Sequence, residues 1–249
     1  MSLLPFTIGF ALLCRLSVQA APTFASPAPV PIVSNAPAIA AGLITMPSVG
    51  DRFKKLLTDG SGNMLTGSAL RQVTIFDFNN QAPTPTTPGG SILLATVDNF
   101  PILTGLGISG AVSFVEPCGL NIPHMHPRAD ELFTVVKGVM YTGWVQENAF
   151  SPAVEAELGQ YQATVFPKGS MHYQMNPTCE PAVFVASLNS EDPGRSDLMT
   201  NYWQLPEDII EAGMGAPATI GASSIDAWRA HLPANLAAGV DSCLKACGL

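Results

Sequence analysis

Gly119-Leu120-Asn121-Ile122-Pro123-His124-Met125-His126-Pro127-Arg128-Ala129-Asp130-Glu131, continuing through Leu132-Phe133-Thr134-Val135-Val136-Lys137 to Gly138, is the stretch that decides the fold. In a β-strand, side chains two apart share a face, so His124 and His126 point one way and Met125 the other. Pro127 to Asp130 read as a bend, after which Glu131 opens a new strand and faces the same cavity. Two imidazoles and a carboxylate thus converge, which is metal-ligand chemistry.

A second segment, Phe166-Pro167-Lys168-Gly169-Ser170-Met171-His172-Tyr173-Gln174-Met175-Asn176, brings another histidine on another strand. The whole chain has four histidines, and three fall in these two segments. Chance placement of surface histidines explains that poorly. Three neutral imidazoles and one carboxylate would cover one face of an ion and leave two positions open in an octahedral shell. Imidazole and carboxylate suit manganese, iron, nickel, copper and zinc alike, so the ligand types leave the metal open. They argue against a structural Cys-rich zinc site. His231 stands apart at the end of an expected helix, where a cation opposes the helix dipole.

Outward from these segments the chain reads as short strands. Candidates are 73–78, 92–97, 111–115, 131–136, 139–145, 153–158, 163–166, 172–176 and 183–188, each rich in β-branched or aromatic residues and most bounded by Gly, Pro, Asn or Asp. Many short antiparallel strands imply a mainly β sandwich or barrel. Lys137-Gly138 reads as a hairpin turn. Residues 49–57 read as a short helix; 206–212 and 223–231 read as C-terminal helices, the latter with a serine N-cap and a stop before Pro233. No internal repeat is visible, so the expected organisation is a single domain.

Composition agrees. With 249 residues there is room for one large core; apolar residues are 47%, charged residues 12% and the net charge is −8. An acidic chain without a Lys/Arg cluster offers no footprint for nucleic acid or an anionic membrane. Residues 1–20 read as a secretory signal, with an apolar run from Leu3 to Leu13 and Val18 and Ala20 before the cleavage point. That run is shorter than the ~20 residues a membrane span needs. Residues 21–47 are Ala/Pro-rich and uncharged, and are expected to be a flexible or extended arm. Domain 48–205 and a helical tail 206–249 complete the expected layout. Cys118, Cys179, Cys243 and Cys247 remain after the signal, an even count that suggests two disulfides in an oxidising compartment; three pairings are open.

The two segments together resemble the boxes of the germin-like and spherulin-type branch of the cupin superfamily. The first reads G-x4-H-x-H-x4-E-x6-G from Gly119 to Gly138, the second P-x-G-x2-H-x3-N from Pro167 to Asn176. Phe100-Pro101, Leu106-Gly107 and Ser190 to Gly194 are similar too, and the resemblance spans roughly residues 73–232. It implies an antiparallel jelly-roll β-barrel with a short N-terminal helix and C-terminal helices. It also implies manganese on His124, His126, Glu131 and His172, a homo-oligomer, and a secreted or cell-wall location. Three histidines, one carboxylate and a divalent ion sum to +1, which favours a small anion such as oxalate or superoxide. Oxalate oxidase members of the family also use two asparagines. Asn121 matches one and is the candidate catalytic residue, whereas Ala111 stands where the other is expected. Superoxide dismutation therefore fits better than oxalate oxidation. The alternative is a non-enzymatic, spherulin-type structural or ligand-binding protein. Two departures stand out. Tyr161 replaces a glycine of the second box, and the family's N-terminal disulfide has no counterpart. Cys118 with Cys179, and Cys243 with Cys247, is the pairing then expected. Arg128 and Lys168 are expected as solvated rim charges, and Met125, Met140, Met171 and Met175 as core filling.

Overall fold

The alternating segments form two antiparallel sheets packed face to face as a jelly-roll sandwich. The computed structural model describes residues 27–81, 87–148, 153–214 and 236–249. The expected signal (1–20) and the expected helix at 223–231, with His231, lie outside the described residues.

Three helices come first: α1 (Ala36–Ile44), α2 (Val49–Leu57) and α3 (Gly67–Thr74). The strands are β1 (Gly90–Ala95), β2 (Ser109–Val115), β3 (Leu120–Met125), β4 (Glu131–Lys137), β5 (Met140–Val145), β6 (Val154–Leu158), β7 (Ala163–Phe166), β8 (Met171–Met175) and β9 (Ala182–Leu188). After them come β10 (Ser196–Asp197), α4 (Leu198–Tyr202), α5 (Glu207–Gly213), β11 (Leu236–Ala237) and α6 (Asp241–Cys247). One sheet runs β1-β2-β9-β4-β7; the other runs β10-β3-β8-β5-β6, with β11 also on β3.

The core lies between the sheets. Phe133, Phe166 and Phe184 come from β4, β7 and β9; Phe133 sits 4.7 Å from Phe184 and 5.7 Å from Phe166 between ring centroids. All three are at most 1% exposed. Burying each contributes about 2–3 kcal/mol. Along β4 the inward Glu131, Phe133 and Val135 alternate with the outward Leu132, Thr134 and Val136, so the carboxylate shares its face with the core. Of the four methionines, Met140 fills the core at 0% exposure, while Met171 is exposed and Met125 and Met175 are half-buried.

Several expectations are corrected. The Lys137-Gly138 turn is not a hairpin, because β4 and β5 belong to different sheets. Gly138 has φ 79°, and a Cβ there would lie 3.0 Å from the Ala182 Cβ. Only a residue without a side chain makes so sharp a corner between layers. Residues 73–78 are not a strand. Val73 and Thr74 close α3, where the Thr74 hydroxyl donates to the Leu70 carbonyl, and Phe78 opens a 3₁₀ turn. The β-branched run gave a strand signal that helical packing overrode.

Residues 36–44 are a helix rather than an arm without structure, and they bury Ala36, Ala40 and Leu43. Arg52 of α2 ties that helix down, donating to the carbonyls of Leu43, Met46 and Thr104. The expected helix at 49–57 forms, capped by Ser48, whose hydroxyl accepts from the Asp51 N–H at 3.1 Å.

The disulfides join Cys118 to Cys243 and Cys179 to Cys247, against the expected pairing. Cys243 and Cys247 are four apart on α6, so both sulfurs leave the same helix face and each meets a cysteine of the barrel. The two bonds clamp α6 onto the strand ends carrying the boxes.

Candidate metal centre

A backbone irregularity aims the first box. Asn121 pairs with Gln174 and His124 with His172, so β3 advances three residues while β8 advances two. The extra residue makes a β-bulge, placed beside Pro123, which has no N–H for the ladder. In a regular strand Asn121 and His124 would face opposite sides. The bulge turns both inward, at 2% and 1% exposure. β3 was not among the expected strand segments as a whole, and its proline and flanking glycine explain why.

The structure brings His124, His126, Glu131 and His172 together. All four are buried, and one ligand atom from each lies within 4.8 Å of the others. Each imidazole is held by its Nδ1. His124 donates to the Ile122 carbonyl (2.7 Å), His172 to the Ser170 carbonyl (2.9 Å) and His126 to the Gly194 carbonyl (2.6 Å). A carbonyl can only accept, so Nδ1 carries the proton in all three and Nε2 presents its lone pair to the centre. His172 is further fixed by stacking on Phe166, 4.4 Å and 8° from parallel. The Pro167–Ser170 turn positions this strand: the Gly169 N–H donates to the His126 carbonyl and the Lys168 N–H to Asp130 Oδ1.

The centre is built for a cation. Glu131 Oε2 lies 3.0 Å from His126 Nε2 and 3.5 Å from His172 Nε2. A carboxylate facing imidazole lone pairs is repulsive unless a proton or a metal ion lies between them. Nε2 of His172 is buried and makes no hydrogen bond among the described residues, which fits an atom that serves as a metal ligand. Burial pushes the Glu131 carboxyl up, but in the absence of an ion a proton held between its Oε2 and the Nε2 atoms of His126 and His172 outweighs burial and brings its pKa to about 2 instead of 4.5. Burial drives His124 well below the usual 6.5, helped by the nearby Arg195 and the other two imidazoles. A His₃Glu set of neutral nitrogens and one carboxylate fits a divalent transition ion.

Beside the four lies a cavity of about 40 Å³, lined by Asn121, His124, His126, Glu131 and Arg195 on one side and by apolar side chains of β1, β2 and β9 on the other. Ala111 is among these, so the position lacking a carboxamide does face the cavity. Asn121 is already engaged at both ends: its Nδ2 donates to Gln174 Oε1 (2.5 Å) and its Oδ1 accepts from Arg195 Nη2 (3.0 Å).

Arg195 and Gln174 were not foreseen. Gln174 carries a strand signal, two residues beyond His172 on the same face. Arg195 follows the Pro193-Gly194 turn and has no periodic pattern to mark it; only its place after the box-like Ser190–Gly194 flank hinted at it. Arg128 is a rim charge, paired with Asp192 at 2.6 Å with both side chains over half exposed, and such a pair adds little stability.

Comparison with known proteins agrees with this architecture. A family profile described as Cupin matches residues 76–214. Spherulin-1A of Physarum polycephalum is 34% identical over 220 residues, covering 88% of this chain and 82% of that protein. Germin-like protein 8-2 of Oryza sativa subsp. japonica is 43% identical over 119 residues, 47% of this chain and 51% of its own length. Among solved structures, an oxalate oxidase superposes with a TM-score of 0.56 at 25% identity, over 63% of this chain and 79% of that one. Two ligand-bearing boxes on a jelly-roll sandwich, a matching family profile and a relative similar along most of its length place this chain in the cupin family, among its germin-like and spherulin-like members.

Proposed function

We propose that this cupin binds one divalent ion, manganese being the expected one, through His124, His126, Glu131 and His172, and acts on a small anion. The observation that carries the proposal is the set of three Nδ1 bonds to backbone carbonyls, which leave three Nε2 lone pairs and a carboxylate converging on one point. When bound, such an ion supplies a place to orient an anion and, as manganese, a one-electron couple. The protein's part is to hold the ligands rigid, to aim their Nε2 atoms and carboxylate at one point and to exclude bulk water with the apolar wall. Asn121 is positioned to contact the anion from the polar side. Ala111 supplies no second carboxamide, which favours superoxide over oxalate as the substrate.

The two disulfides support export to an oxidising compartment, and among the described residues no helix is long and apolar enough to cross a membrane. The likeness to an oxalate oxidase and to germin-like proteins supports a small-anion ligand and a homo-oligomer.

A second reading, a metal-stabilised structural or ligand-binding protein, is favoured by the small size of the cavity. The test is metal analysis of the purified protein with parallel assays for superoxide dismutation and for peroxide release from oxalate. About one manganese per chain with either activity supports the enzyme. Full metal without either favours the second reading, and no metal after reconstitution overturns both.

A further inference from the structure

We infer that Arg195 is the anion anchor of the cavity and selects a small monoanion with a carboxylate head over a dianion such as oxalate; this rests on the metal reading above. Arg195 reaches the cavity from the turn before β10, and its side chain is 18% exposed. Nε donates to Asp197 Oδ1 (2.6 Å) and Nη2 to Asn121 Oδ1 (3.0 Å). A guanidinium has five N–H donors, so three of them have no partner among the described residues. The side chain is partly exposed, so the Nη1 group, which has no protein partner among the described residues, is free to donate to an anion in the cavity. Among the described residues lining the cavity it is the sole cation.

Charge balance sets the ligand's valence. Arg195 and Asp197 cancel, and Glu131 reduces a divalent ion to a net +1. One negative charge neutralises the site, whereas a dianion would leave an uncompensated charge against an apolar wall, which is costly. Size sets the rest. A cavity of about 40 Å³ holds roughly three water molecules, which matches an anion of about three or four non-hydrogen atoms. The wall facing Arg195 is built from Ile92, Leu94, Ala111, Phe184, Ala186 and Leu188 and offers hydrogen or methyl groups a dry surface but no second carboxylate site. Formate and acetate have the matching shape, charge and planar head for the guanidinium fork.

The experiment titrates manganese-loaded protein with formate, acetate and oxalate, reading water-proton relaxation by the bound ion and, separately, metal content. Wild type, Arg195→Gln and Arg195→Lys are compared. Saturable binding of formate and acetate, tighter than oxalate at pH 7, is expected in wild type. Arg195→Gln should keep its metal and weaken monocarboxylate binding by about ten- to a hundredfold, the worth of a charge-assisted hydrogen bond. Arg195→Lys keeps the charge without the fork and should fall between them, which a merely structural role would not produce. Equal monocarboxylate affinity in wild type and a folded, metal-loaded variant, or a preference for oxalate in wild type, would overturn this inference and leave the metal reading standing. Wild type that takes up no metal would overturn both.

Discussion

The disulfide clamp gives the most direct quantitative test. Replacing Cys118 and Cys243 together by alanine releases one of the two bonds holding α6 while leaving Cys179–Cys247 in place. With both bonds present, the shortest covalent circuit through Cys118–Cys243 runs to Cys179, crosses the second bond and returns along α6, roughly 65 residues in all. The loop-entropy relation for that size gives about 4 kcal/mol. The same circuit governs Cys179–Cys247, so Cys179→Ala with Cys247→Ala should cost about the same. Removing the clamp altogether should cost more, because the last bond closes a loop of 125 or 68 residues on its own. The assay is urea unfolding of each double variant under non-reducing conditions, with peptide mapping of the wild-type bonds by mass spectrometry. A loss below 1 kcal/mol in both double variants would refute the entropic argument. A mapped Cys118–Cys179 bond would refute the pairing.

Other expectations follow from the site and its surroundings. His172→Ala should abolish metal binding, whereas Met125→Leu, on the opposite face of β3, should retain it; equal metal content in the two would sink the ligand assignment. Metal-free protein should lose stability on acidification. His124 is held neutral by burial and the charges near it, so its contribution is complete above the ordinary histidine value of 6.5 and declines as pH falls below it. Glu131, lowered from 4.5 to about 2, adds a second loss with the same sign below pH 4.5. Thermal melts from pH 7.5 to 3.5 that showed no decline would contradict both. Tyr161 sits at φ 64° and is 78% exposed, so Tyr161→Gly should raise stability by up to about 1 kcal/mol, relief of left-handed strain offset in part by glycine's entropy. A fall of that size in the urea midpoint would show that the ring contributes packing instead.

Much of this molecule was legible from residue types and spacing, for identifiable reasons. Strands such as 163–166 and the helix at 49–57 carry local signals, β-branched and aromatic residues in one case and an N-cap with an amphipathic face in the other, that tertiary packing reinforces. The His/His/Glu/His set was legible because two-residue spacing on a strand fixes a face. What escaped the sequence depended on distant partners. The corner at Gly138 looks like a hairpin until the neighbours of β4 and β5 are known. The cysteine pairing depends on where α6 docks, and α1 is stabilised by a surface it meets only in the folded chain. The inward turn of Asn121 needs the bulge at Pro123, and Arg195 enters the site through a turn whose direction no periodicity encodes.

The Nδ1 bonds divide the three imidazoles into two kinds. His124 and His172 each carry their own acceptor two residues upstream, so their aim travels with the strand that bears them. His126 borrows its acceptor from Gly194, 68 residues away. That turn is braced by Arg128 on Asp192 and bears Arg195 on its far side. Two ligands are thus self-registering and the third is adjustable. Sequence change confined to residues 192–195 can retune the angle of one imidazole and the reach of one guanidinium together while leaving the sheets untouched, which makes this short turn the natural dial on which variants of the same scaffold would diverge.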